Sequence, residues 1–461
     1  MTELTVQAVA EACGGRLVGG TAAGTVLGVS TDSRTLRPGE MFFALPGERY
    51  DGHDFAADAA ARGAAGVVAA RDLRDQLPNG VALVLVDDTV QALGALAAER
   101  RRDYDVPIVA VTGSTGKTTT KEMVRQILQR VCPPVLATKA TENNEIGVPL
   151  ALLGLGAEHG AAVLEFAMRG RGEIAYLTRI ARPTVGVVTN VGSSHVGLLG
   201  SRSEIAAAKA ELIAGLDADG MAVLNADDEL VAPMRETAAG RVLTFGLEGP
   251  ADVTAERLRS RGWSGTAFVL RTPDAEARIS LRVPGRHNVY NAVAAATAGL
   301  AVSAALDDIA AALGQFEGMP GRGRAIRSPS GFTVIDDTYN ASPASVRAAL
   351  EMMRESAGRG RLIVALGDVL ELGDSGPELH RGIGADMVAY NVDLVLIVGE
   401  YARDVADGVA AAAGDTKVHT FDDKAALLAR LLAELRPGDM VLVKGSRAMG
   451  MEDIVRRLVG D

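Results

Sequence analysis

The segment Gly113-Ser-Thr-Gly116-Lys117-Thr118-Thr119 constrains this 461-residue chain more than any other. It directly follows the apolar, β-branched run IVAVT and opens the helical run TTTKEMVRQILQR. A buried strand that turns through glycines straight into a helix predicts an α/β domain with a mainly parallel sheet. The loop is shorter than the general GxxxxGK[ST] pattern, but the physics is the same. Gly113 and Gly116 let the backbone N–H groups around Ser114 and Thr115 turn onto phosphate oxygens, and the helix N-terminus adds its positive end. Lys117 can neutralise β- and γ-phosphates, the Thr118 hydroxyl can ligate Mg²⁺, and Thr119 brings a second hydroxyl within reach. The motif predicts a nucleotide and leaves its use open, since motors, switches, kinases and ligases all share it.

At roughly 150 residues per domain the length suggests about three domains. Hydrophobic residues are 48% and charged residues 23%, enough for each domain to bury a core. The formal charge of −11 argues against a generic nucleic-acid binder, which needs a basic face. Cys13 and Cys132 are too few and too far apart for a disulfide framework or a cysteine zinc site, so a reduced, cytoplasmic setting is expected. MTELTVQAVAEACGG lacks the charge pattern of a signal peptide, and no run of about 18 apolar residues suggests a membrane span.

Two breaks divide the chain. Asp105-Val106-Pro107 ends a helix expected over residues 89–102, and the Gly/Pro/Arg stretch GQFEGMPGRGR ends the central alternation of strands and helices. The expected domains are 1–104, a small α/β unit; 105–320, the phosphate-loop mononucleotide-binding domain; and 321–461, a Rossmann-like α/β unit without a GxGxxG fingerprint.

Other candidates are weaker on their own. Glu165 ends the strand AAVLEFAM, where a carboxylate near a phosphate loop is placed to hold Mg²⁺ or simply sits half-exposed. His195 follows the strand TVGVVTN and reads as a ligand or a surface residue. Lys209 lies in AAAKAEL, where the ordinary expectation is a solvated lysine paired with Glu204 or Glu211. The doublets Asp87-Asp88, Asp227-Asp228, Asp336-Asp337 and Asp422-Asp423 suit turns and helix caps.

Together these segments resemble the Mur ligase family, the ATP-dependent amide ligases of peptidoglycan assembly, over essentially the whole chain. TGSTGKTTT is similar to the family's ATP loop. The resemblance implies two Mg²⁺ ions, held by Thr118 with Glu165 and by His195 with a carbamylated Lys209. It places Asn288 and Asn291 of GRHNVYNAVAA, Asp337, and Arg322 of MPGRGR (with Arg324 as rival) at the nucleotide. TDSR with PGERYDGHDF is similar to a UDP-sugar-binding domain and implies Ser33, Arg34, Asp51 and His53 as substrate contacts. TENNEIGVPLALL, DDTYNASP, LGDVLELG and VKGSRAMGMEDIV resemble members that add a dipeptide, implying Thr141, Asn144, Tyr339, Asn340, Lys444 and Arg447 at the substrates. The implied substrates are ATP, UDP-MurNAc-tripeptide and D-Ala-D-Ala, handled by a monomer without nucleic acid or membrane insertion.

Overall fold

The computed structural model describes residues 4–47, 49–139, 142–192, 196–356 and 360–460. Three large sheets follow one another along the chain. The first has the order Arg16–Gly19, Ala82–Leu85, Gly66–Ala69, Glu40–Phe43, Gly28–Ser30, parallel except at its first pair. Apolar clusters around Val9, Met41 and Leu93 and around Phe42, Ala59 and Leu73 cover its two faces.

The helix Thr89–Arg102 joins this unit to the next, capped at its start by Asp88, whose carboxylate accepts from the N–H groups of Val90 and Gln91. Arg101 near its end is buried, and its guanidinium donates to the carbonyls of Ala181 and Val106. Leu150 and Leu153 of the central domain also pack on the N-terminal core.

The central sheet has nine strands. Val135–Ala137, Ala161–Glu165, Ile108–Thr112, Val185–Val188, Met221–Asn225 and Arg241–Gly246 lie parallel in that order. The all-buried runs of Ala161–Glu165, Ile108–Thr112 and Val185–Val188 are what the middle of a sheet covered on both faces requires. The far edge differs from the parallel expectation. Val253–Ser260 runs parallel to its neighbour, but Thr266–Arg271 and Glu276–Leu281 add an antiparallel extension. The turn joining the first two of these carries Trp263, whose ring packs on the apolar cluster of the C-terminal unit around Ile335, Leu350 and Met353.

The third sheet has the order Arg324–Arg327, Thr333–Asp337, Met440–Lys444, Leu362–Gly367, Leu394–Val398, Lys417–Phe421, parallel beyond its first pair. The last strand in sequence is thus inserted beside the first parallel one, which brings Lys444 next to Asp337. No helix among the described residues is long and apolar enough to cross a membrane.

Candidate active site

Strand order assembles the site. Ile108–Thr112 lies between Ala161–Glu165 and Val185–Val188, so the loop after it is flanked by Glu165 on one side and by Thr189 and Asn190 on the other. The loop is tied to that second neighbour. The Thr115 N–H donates to Asn190 Oδ1 at 2.9 Å, and Thr189 Oγ1 donates to the Thr115 carbonyl at 2.7 Å. Gly116 has φ +78°, and a Cβ there would lie 2.3 Å from Asn291 Oδ1, so both conformation and space require glycine. Asn291 and Asn288 are buried on the helix Arg286–Ala301, which backs the loop. Asn288 donates to the Pro284 carbonyl at 2.7 Å, and the Thr120 hydroxyl donates to Asn291 Oδ1 at 3.4 Å.

Lys117 folds back so that Nζ donates to the carbonyls of Gly113 at 2.9 Å and Ser114 at 3.3 Å. Burial pushes its pKa down and Arg322 adds to this, while Glu165 opposes them. Glu165 is 3% exposed. Its Oε1 accepts from Asn143 Nδ2 at 2.9 Å, whereas Oε2 has no hydrogen-bond partner among the described residues. A buried carboxylate oxygen without a donor is costly unless a cation completes it. One carboxylate beside the Thr118 hydroxyl suits Mg²⁺, which draws its remaining ligands from phosphates and water.

Lys209 overturns the ordinary expectation of a solvated helix lysine. It is 2% exposed, and its acidic neighbours are engaged elsewhere. Glu204 pairs with Arg171 at 3.1 Å, and Glu211 accepts from the N–H groups of Gly172 and Ala175. Burial, reinforced by the charge of Lys117, holds the Lys209 pKa well below its ordinary value. An amine whose neutral form is favoured in this way is a better nucleophile for carbon dioxide.

The opposite wall comes from the C-terminal unit, across a cleft of about 500 Å³ lined by Ser114–Thr119, Asn143, Glu165, Asn288, Asn291, Arg322, Asp337, Tyr339, Asn340 and Lys444. Arg322 Nη2 donates to Thr118 Oγ1 at 3.0 Å, and its guanidinium lies 3.8 Å from the Tyr339 ring centroid. Arg324 begins an edge strand and is exposed. Arg447 also approaches Tyr339, with its Cζ 5.8 Å from the ring centroid and its Nη1 3.0 Å from Glu452.

Other expected residues are placed differently. Ser33, Arg34, Asp51 and His53 belong to the N-terminal unit and do not line this cleft. Arg34 is exposed and forks onto Asp32, with Nη2 2.7 Å from Oδ2. His53 is buried; Nδ1 lies 2.6 Å from Asp51 Oδ1, and Nε2 accepts from the Ala70 N–H at 2.9 Å, so both ring nitrogens are used to fix the turn. Asn144 likewise serves the backbone, its Oδ1 accepting from the Gly147 N–H at 2.9 Å. Thr141 and His195 lie outside the described residues.

Sequence reading missed Asn143, the neighbour that does reach Glu165. It also missed His287 and Tyr290, which sit in the quoted segment HNVYN. Tyr290 donates to Asp227 Oδ2 at 2.9 Å, and that carboxylate also accepts from the N–H groups of Leu247, Glu248 and Gly249. His287 lines the cleft, where desolvation lowers its pKa, with Asp337 opposing and Lys444 reinforcing.

Comparison with known proteins gives the family. The Mur ligase middle domain matches residues 111–299, the Mur ligase glutamate ligase domain 321–447, and the Mur ligase family catalytic domain 25–101. The chain belongs to the Mur ligase family. Among its relatives is the UDP-N-acetylmuramoyl-tripeptide–D-alanyl-D-alanine ligase of Escherichia coli, 38% identical over 99% of each chain. Among solved Mur ligases it is similar to MurF from Acinetobacter baumannii, 35% identical with a TM-score of 0.90 over 99% of each chain. MurF ligase from Thermotoga maritima, solved in complex with ADP, is 28% identical with a TM-score of 0.83 over 94% of this chain and 97% of its own.

Proposed function

We propose that this chain is the ADP-forming ligase that joins D-alanyl-D-alanine to UDP-N-acetylmuramoyl-tripeptide, the last cytoplasmic step in building the peptidoglycan pentapeptide precursor. The observation that carries this reading is the cleft in which Lys117, Thr118 and Glu165 of the phosphate loop's surroundings face Arg322 and Asp337 of the C-terminal unit. Likeness to full-length dipeptide-adding ligases supplies the substrates.

A carboxylate is a poor acyl donor because its charge is delocalised and oxide is a poor leaving group. In the proposed reaction the terminal carboxylate of the tripeptide attacks the γ-phosphate of ATP, giving an acyl phosphate and ADP. The amine of D-Ala-D-Ala then attacks the acyl carbon, an amide forms, phosphate leaves, and the amine gives up a proton.

Both partners of the first step are anions. Lys117 turns from the loop carbonyls to the β- and γ-phosphates, and Arg322 offsets charge on the transferring group. Thr118 and Glu165 would hold one Mg²⁺, and His195 with a carbamylated Lys209 a second; when bound, these ions supply further charge neutralisation. Asn143 keeps Glu165 oriented. The C-terminal wall brings Asp337, Tyr339 and Asn340 to the nucleotide and the dipeptide, and its closure excludes water that would hydrolyse the acyl phosphate. The N-terminal unit, with the TDSR turn at Ser33 and Arg34, takes the UDP end, and the protein works as a monomer.

The test places oxygen-18 in the terminal carboxylate of the tripeptide nucleotide. The ligase transfers label to inorganic phosphate and makes a pentapeptide nucleotide, and it releases phosphate only when both peptide substrates are present. Phosphate release without them marks a nucleotide switch or motor instead.

A further inference from the structure

The C-terminal wall of the cleft is held by a cation for which the proposed chemistry has no step. Lys444 ends an interior strand and stands in register with Asp337 at the end of the neighbouring strand. Its side chain is 2% exposed. Nζ lies 2.5 Å from Asp337 Oδ2 and 3.0 Å from the Asn340 carbonyl. An ammonium has three protons, and the chain's own atoms take two of them. Asn340 is fixed from its other end as well, its Oδ1 accepting from the Arg447 N–H at 3.3 Å. Residues 337–340 are thereby tied to the middle of the sheet, not left as a free loop.

Sequence resemblance put Lys444 at a peptide substrate; burial and bonding argue otherwise. We propose that Lys444 is a positioning residue for the nucleotide that acts through Asp337. Alone, the Asp337 carboxylate would repel a polyphosphate entering the cleft. Paired with Lys444 it is locally neutral, one oxygen is locked, and the other is left to accept from hydrogen-bond donors of the nucleotide. The inference rests on the ligase reading, which places ATP in this cleft.

Coupling between the two side chains separates this from direct substrate contact. ADP affinity by calorimetry, KM for ATP, KM for D-Ala-D-Ala and the thermal midpoint are measured for K444M, D337N and the double variant in the full chain. Each single change is expected to weaken ADP about tenfold, the scale of side chains in direct contact, and the double variant no more than the worse single one. KM for the dipeptide rises by a smaller factor than ADP affinity falls. K444R, which keeps the charge, retains most of the ADP affinity, and it carries the test if K444M does not fold. Losses that multiply in the double variant overturn the proposal. So does unchanged ADP binding in K444M, or, where K444R carries the test, a dipeptide KM that rises more than ADP affinity falls. Failure of the ligase reading shows separately, as wild-type protein that forms no amide from its two peptide substrates.

Discussion

Arg322 Nη2 stands 3.0 Å from Thr118 Oγ1, so a side chain from the start of the C-terminal unit reaches the first turn of the helix that receives the phosphates. The contact joins the two halves of the cleft through a residue that also stacks on Tyr339. Arg322→Ala is therefore expected to lower kcat/KM for ATP by about 10²- to 10³-fold, the scale of one lost charge-stabilising donor. Arg322→Lys keeps the charge but loses the planar fork and the stack, and stays well below wild type. Arg324→Ala, on an exposed strand edge, leaves turnover within about twofold, as most exposed substitutions away from special features do. Phosphate release with both peptide substrates present distinguishes the three.

Lys209 predicts a dependence on both carbon dioxide and pH. Lys209→Ala should lose most turnover and regain part of it when short-chain carboxylates are added, because such an anion can occupy the place of the carbamate. In carbon dioxide-free buffer the amine itself governs stability. Its native pKa lies below the ordinary value of 10.5, so as pH falls below that value the unfolded chain takes up the proton first. Native stability from this group thus declines with falling pH until the lowered native pKa is reached, and is recovered as pH rises. Lys209→Met should abolish that slope and be more stable at neutral pH. Thermal unfolding across a pH series checks the sign, and a slope unchanged by the substitution contradicts it.

Glu165 carries a buried oxygen without a donor among the described residues, and its substitution should separate stability from activity. Without added metal, Glu165→Gln is expected to leave the protein at least as stable as wild type, because it removes a buried charge whose second oxygen has no donor among the described residues. The same variant should lose Mg²⁺-dependent turnover. Denaturant unfolding with and without Mg²⁺ measures the first effect, and phosphate release the second.

Asn143 and Asn144 are adjacent and should fail in different ways. Asn143→Ala frees Glu165 from its orienting bond, so activity should fall while the unfolding midpoint is kept. Asn144→Ala removes the acceptor for the Gly147 N–H and should cost about 1 kcal/mol of stability, as lost caps do, with kcat little changed. Paired kinetic and melting measurements decide; the reverse pattern would move the site role to Asn144.

The legible parts of this fold share a physical cause. IVAVT, AAVLE and VGVV are buried on both faces, so their apolar runs are unbroken and the strands stand out in the sequence. Val253–Ser260 was hidden because its alternation fails where the register shifts between Glu256 and Arg259, beside Arg257 at φ +55°. The phosphate loop was readable because its geometry is local: strand, glycines and helix are contiguous. Lys209 was unreadable from spacing, since its acidic neighbours suggest a solvated pair, and only the fold shows those acids turned to Arg171 and to backbone N–H groups. The family resemblance supplied what spacing lacked for this lysine, but it did not separate Asn143 from Asn144 or reveal that Lys444 faces inward. Of the acidic doublets, Asp88 and Asp423 cap helices as expected, whereas Asp227 anchors Tyr290 beside the cleft.

Trp263 gives the molecule a built-in optical reporter. It is the chain's single tryptophan, and it sits where the central sheet's antiparallel extension meets the C-terminal core. Its emission therefore reads one seam and no other, so a spectral shift on adding nucleotide or peptide follows movement between those two units without any label being attached.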